Sequence, residues 1–281
     1  MSSKLLRKKL MPLVTTAYLS ENLNRAKIID CSWHMPNVNR DGQKEYDLKH
    51  IPGAIFFDLD KNSRTDTDLP HMLVNKKDWE KIISNMGINN NDEIIIYDNS
   101  DVISSCRCWY NFIYYGHDIN LVSVLDGGLK KWISENKITN SEKQQLTQSN
   151  YHANEHKELV KSKVQIDENI SKKKYLVVDA RSKDRFEGKI KEPREGLRSG
   201  SILNSKCLPF SEVLNKEGTF KNKNELKNLF KSNLGTTNEN DTVFSCGSGV
   251  TACVLAFAYY LINDKYLPKI YDGSWAEYGK L

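Results

Sequence analysis

Residues Val243-Phe244-Ser245-Cys246-Gly247-Ser248-Gly249-Val250-Thr251-Ala252 run directly into the apolar stretch Cys253-Val254-Leu255-Ala256-Phe257-Ala258-Tyr259-Tyr260-Leu261. The order reads as a strand, a cysteine at its tip, a glycine-bearing turn and a buried helix. Gly247 and Gly249 admit backbone conformations closed to other residues, so the chain can curl round the Cys246 sulfur with its amides pointing inward. A helix starting near Val250 aims its positive dipole end at the same atom. Both effects favour negative charge on sulfur, which predicts Cys246 as a nucleophile. A lone cysteine beside an apolar helix is usually an inert core residue. Here two glycines and a Ser-Thr pair crowd the loop, more than a structural turn needs. Cys31, Cys106, Cys108, Cys207 and Cys253 keep the packing reading.

A chain of 281 residues points to about two domains. With 39% hydrophobic and 27% charged residues it is globular, and no apolar stretch approaches the roughly 18 residues that span a bilayer. No membrane partner is expected. Six cysteines without Cys-x-x-Cys spacing argue for reduced thiols and against zinc or a disulfide framework. Lys4, Arg7, Lys8 and Lys9 precede the first acidic residue, Glu21, as in an organelle transit sequence; Pro12 interrupts the apolar part that follows and a clear cleavage site is lacking, which argues against a secretory signal. The expected location is the cytoplasm. The net charge of +5 is spread along the chain without a basic, aromatic-interleaved stripe, so nucleic acid is not an expected partner.

The chain repeats itself. Ala26-Lys27-Ile28-Ile29-Asp30 matches Tyr175-Leu176-Val177-Val178-Asp179, and Met86-Gly87 matches Leu234-Gly235. Glu93-Ile94-Ile95-Ile96-Tyr97-Asp98 matches Asp241-Thr242-Val243-Phe244-Ser245-Cys246, and Asp126-Gly127-Gly128 matches Asp272-Gly273-Ser274 before Trp275. A nearly constant offset implies two copies of one α/β fold, each a parallel sheet flanked by helices. Copy one is assigned to residues 10–140, a polar surface linker to 141–163, and copy two to 164–281. Asp98 stands in copy one where Cys246 stands in copy two, so only the second copy can hold the nucleophile. The site is expected in the cleft between the copies, with copy one supplying one wall.

A duplicated domain, a Cys-led loop in the second copy alone and paired Asp-Gly motifs resemble the rhodanese superfamily of sulfurtransferases over nearly the whole chain. Within it, Cys246-Gly247-Ser248-Gly249-Val250-Thr251 is similar to the loop of members acting on 3-mercaptopyruvate; members acting on thiosulfate typically carry Arg-Lys directly after the cysteine. A compact dianion gains from two cations beside the sulfur, whereas mercaptopyruvate keeps its carboxylate several bonds away. The resemblance implies substrate binding by the loop amides of Gly247, Gly249, Val250 and Thr251 and by Arg185 and Arg194, taken from Asp179-Ala180-Arg181, Arg185-Phe186 and Glu192-Pro193-Arg194. It implies a hydrogen-bonded chain of Asp60, His71 and Ser248 that delivers a proton. By spacing alone His71 is a surface histidine, like His34, His50, His117, His152 and His156. No cofactor is implied. The implied reaction passes sulfur through a Cys246 persulfide to cyanide, a small thiol or a reduced thioredoxin-like protein, releasing pyruvate.

Two alternatives stay open, a thiosulfate sulfurtransferase and a non-catalytic persulfide carrier or sensor; a third, a cysteine phosphatase, is not expected. The last needs an Arg six residues after the cysteine, where this chain has Ala252. One departure from the pattern stands out. Copy one keeps His50-Ile51-Pro52-Gly53-Ala54, but copy two reads Ser201-Ile202-Leu203-Asn204-Ser205, with Asn204 expected to take the left-handed backbone of the glycine.

Overall fold

The computed structural model describes residues 10–235 and 242–281; the basic residues before Leu10 lie outside them. The first sheet is built from β1 (Leu13–Val14), β2 (Lys27–Asp30), β3 (Ala54–Phe56), β4 (Ile94–Tyr97) and β5 (Val122–Leu125). Its helices are α1 (Thr16–Glu21), α2 (Gly42–Leu48), α3 (Lys76–Asn85), α4 (Ser105–Tyr114) and α5 (Gly128–Ser134). The second sheet comprises β6 (Val160–Lys161), β7 (Leu176–Asp179), β8 (Lys206–Cys207), β9 (Thr242–Ser245) and β10 (Lys269–Tyr271). With it go α6 (Lys163–Lys172), α7 (Lys183–Phe186), α8 (Lys223–Leu234), α9 (Val250–Ile262) and α10 (Ser274–Tyr278). The strand orders β1-β5-β4-β2-β3 and β6-β10-β9-β7-β8 are the same, and every pairing is parallel.

Alternation along the strands makes each sheet the middle of a sandwich. Ile28 and Ile95 face one buried cluster with Leu19 and Trp132, while Ile29 and Ile96 face another; Val243 and Phe244 divide in the same way in the second sheet. Helix starts are marked by side chains that accept from exposed amides, among them Asp41, Asn75 and the capping boxes of Ser162 and Asn222. The all-round apolar character of α9 follows from its position. It packs on its own sheet, on α8 and on α4 of the other domain, with Phe257 and Tyr260 against Trp109 at ring distances of 4.9 and 5.5 Å. The two domains therefore share one core through α4 and α9.

Two sequence readings need correction. The segment 141–163 is not only a surface linker: Val160 pairs with Ile270 as the edge strand of the second sheet, which thus starts before residue 164. Tyr151 is buried within the segment, its amide bonded to Ser84 Oγ at 3.0 Å and its ring stacked on His117. The apolar ring anchors a polar stretch that has no period of its own. His34, His50 and His117 are buried rather than on the surface. The two ring nitrogens of His50 lie 2.6 and 3.1 Å from the carbonyls of Tyr46 and Glu142. Asn204 does take left-handed backbone, at φ +65°.

Candidate active site

Cys246 follows the last residue of β9, at the carboxyl edge of the sheet. Its amide donates to Ser274 Oγ at 3.1 Å. The carbonyls of Cys246 and Gly247 accept from the amides of Trp275 and Ala276 at 2.9 and 2.8 Å, which turns them toward α10. Gly249, at φ +78°, then bends the chain into α9. Outside α9, the amides of Gly247 to Thr251 donate to no acceptor among the described residues. An open row of amides at a helix N-terminus suits an anion on the sulfur they surround.

Cys246, Gly247, Ser248, Val250 and Thr251 line a cleft of about 210 Å³ together with Arg185 and Arg194. Trp33, Met35 and Val102 of the first domain form the facing wall. Gly249 is the one member of the expected cradle that does not line the cleft; it packs instead against Arg107 and Asp272. Gly247 serves differently from the expectation too. Its φ lies outside the left-handed region, and a Cβ there would stand 3.1 Å from Nη2 of Arg185, so the missing side chain is room for a guanidinium.

The two arginines are held unequally. Arg185 is anchored by Glu192, with Nη2 2.6 Å from Oε2, and Arg181 grips the other oxygen of Glu192 at 2.8 Å. Arg181 is fully buried between Asp179, the Gly200 carbonyl and the face of Trp275. Arg194 makes no hydrogen bond or ion pair among the described residues, so its planar fork is unspent. Burial pulls its pKa below the ordinary arginine value and Arg185 adds to this, while Cys246 and Asp60 oppose it. A guanidinium so placed gains from an incoming carboxylate.

His71 reaches the loop from the first domain. Its Nδ1 is 3.0 Å from Ser248 Oγ and its Nε2 is 3.0 Å from Asp60 Oδ1. A carboxylate accepts, so Nε2 carries the hydrogen and Nδ1 accepts from the Ser248 hydroxyl. Burial lowers the pKa of His71 against the pull of Asp60, and the bond from His71 lowers that of Asp60. The ring is thus neutral at rest, backed by an ionised carboxylate whose outer face is exposed.

Trp33 and Glu192 were not singled out from the sequence. Trp33 donates from Nε1 to both oxygens of Asp60, at 3.1 and 3.0 Å, and meets His71 edge-on at 4.6 Å. Its own backbone is held by Ser104 Oγ and Ser100 Oγ, in the loop of copy one that corresponds to the Cys246 loop. There the Asp98 carboxylate accepts from the amides of Ser100 and Ser105 at 2.8 and 2.9 Å. The chain's own carboxyl group sits where copy two carries its sulfur. All six cysteines are unpaired, and burial pushes the thiols of Cys207 and Cys253 up to about 12, in keeping with a packing role. Among the described residues no cluster of metal-ligating side chains occurs and no helix is long and apolar enough to cross a membrane.

A family model of the rhodanese-like domain matches residues 15–135 and again 162–281. Mouse 3-mercaptopyruvate sulfurtransferase is 37% identical over 254 residues, covering 90% of this chain and 84% of the mouse protein. Rat thiosulfate sulfurtransferase is 33% identical over 275 residues, covering 95% of this chain and 91% of the rat protein. SseA from Escherichia coli, described as a 3-mercaptopyruvate sulfotransferase, superposes with a TM-score of 0.84 at 29% identity, over 95% of this chain and 99% of SseA. Two matched domains, the same strand order in both and relatives aligned over nearly their whole length place this chain in the rhodanese family.

Proposed function

We propose that the protein is a 3-mercaptopyruvate sulfurtransferase working through a persulfide on Cys246. The observation that carries the reading is the neutral Gly247-Ser248 pair directly after the cysteine, with the cations of the cleft supplied instead by Arg185 and Arg194 from another segment. A loop without its own cations beside a separate arginine pair suits a donor whose sulfur and carboxylate are distinct groups.

In the first half-reaction the Cys246 thiolate attacks the substrate sulfur and the C–S bond breaks. Its electron pair passes to the carbon skeleton as the enolate of pyruvate. The substrate thiol carries one proton and the enolate carbon needs one, so the step balances without an outside acid. Ser248 and His71 are disposed to move it: neutral His71 takes a proton through Ser248, Asp60 stabilises the imidazolium, and the proton returns to the enolate. Arg194 and Arg185 hold the carboxylate and carbonyl, where charge grows as the enolate forms. In the second half-reaction cyanide, a small thiol or a reduced thioredoxin-like protein takes the outer sulfur, so kinetics are ping-pong. Six unpaired cysteines fit a reducing compartment, and we assign the protein to the cytoplasm, without a nucleic-acid or membrane partner.

A second reading, thiosulfate sulfurtransferase, is favoured by the 33% identical rat enzyme of that name. Steady-state kcat/KM on both donors separates the two. Preference for 3-mercaptopyruvate is expected; a clear preference for thiosulfate overturns the first reading. Pyruvate released beyond one equivalent per chain excludes a carrier without turnover.

A further inference from the structure

Arg107, on α4 of the first domain, is wholly buried and takes no part in the chemistry above. Its Nη2 donates to the backbone carbonyl of His71 at 2.6 Å. Nη1 lies 2.7 Å from Asp272 Oδ1 and 3.4 Å from the carbonyl of Gly249, both in the second domain. Asp272 Oδ2 in turn accepts from the amide of Leu73, two residues past His71, at 2.9 Å. One side chain thus ties the segment carrying His71 to the residue that turns the Cys246 loop into α9.

The repeat shows what this tie is for. His71 is held at φ +62°, a left-handed conformation uncommon for a non-glycine residue. Its counterpart 147 positions on is Gly218, at φ +78°, which needs no such help. Arg107 follows the left-handed Ile103 by four residues; in copy two the residue four past left-handed Gly249 is Cys253. The reciprocal carboxylate, Asp126, accepts from Phe220 at 2.9 Å as Asp272 does from Leu73, but pairs with no arginine among the described residues. At this position the cation belongs to the copy that has to present a histidine, and copy two has Cys253 instead.

We infer that Arg107 is a positioning residue of the Asp60–His71–Ser248 relay, fixing the backbone of His71 against the Gly249 turn so that Nδ1 meets Ser248 across the domain boundary. The inference rests on the relay proposed above. Lysine at 107 keeps the buried charge facing Asp272 but has no fork to reach the His71 carbonyl as well.

The test is a double-mutant cycle on 3-mercaptopyruvate turnover with Arg107→Lys, His71→Asn and the combination. Arg107→Lys should lower kcat by about tenfold or more with KM within about twofold, because the arginine clamp is untouched. The combined variant should be no slower than His71→Asn, because Arg107 acts only through His71. Wild-type kcat in Arg107→Lys, a loss that multiplies with that of His71→Asn, or a change in KM alone overturns the inference while leaving the relay standing. Wild-type kcat in His71→Asn removes the relay and this inference with it. If Arg107→Lys does not fold, Arg107→Met with Asp272→Asn removes both charges, keeps an acceptor for Leu73 and must show the same loss, again not adding to that of His71→Asn.

Discussion

Gly247 and Arg185 compete for one volume: a Cβ at 247 would lie 3.1 Å from Arg185 Nη2 and 3.8 Å from Arg194 Nη1. Gly247→Ala should raise KM for 3-mercaptopyruvate several-fold with little change in kcat, since the guanidinium must shift while the sulfur and relay stay put. Gly247→Arg sets a third cation against two others and should raise KM further, by about tenfold or more, while improving the relative kcat/KM for thiosulfate. Steady-state kinetics on both donors read the shift.

Glu192 carries both Arg181 and Arg185 on one buried carboxylate. Replacing it with Gln keeps the shape but leaves two guanidinium groups short of a charge, in a setting where breaking a buried pair costs about 3–5 kcal/mol. Glu192→Gln should therefore lower the melting temperature and raise KM. Arg194→Ala should raise KM by about tenfold without the stability loss, because Arg194 has no hydrogen-bond or ion-pair partner to abandon among the described residues. Thermal unfolding beside kinetics separates the two.

The shifts at His71 and Asp60 both point downward, so the unfolded chain binds more protons than the folded one and acid destabilises the protein. His71 contributes stability that is complete above its unfolded value of about 6.5 and is lost as pH falls through its lower folded value. The Asp60 contribution is complete above about 3.9 and is lost further into acid. The relay needs neutral His71, so its acid limb in the kcat profile should fall below about pH 6.5 and disappear in His71→Gln. A limb unchanged in His71→Gln assigns it to another group.

The fold and the strand–loop–helix around Cys246 were legible because their signals are local. The Cys246 loop and its apolar helix lie within 19 consecutive residues, and duplication repeats each strand at nearly constant spacing. What sequence could not supply is which polar groups the second domain buries against the first. Arg107 and Trp33 carry no signal in the sequence, and Glu192 only its place beside Arg194, until tertiary packing gives each its partners. His50 and His117 read as surface because a lone histidine has no spacing signal to mark it as buried; the Tyr46 and Tyr151 rings that cover them come from a helix face and a distant strap. Gly247 was credited with backbone freedom, whereas the structure uses its lack of volume. The strand at Val160 is two residues long, too short to show a period.

The central claim is that sulfur passes through Cys246. Intact-protein mass spectrometry after one equivalent of 3-mercaptopyruvate, with pyruvate measured in the same sample, tests it most directly. The account predicts one pyruvate per chain and a mass gain of one sulfur atom, lost as thiocyanate when cyanide is added, with neither product from Cys246→Ser. Pyruvate release without the mass gain, or turnover persisting in Cys246→Ser, contradicts it.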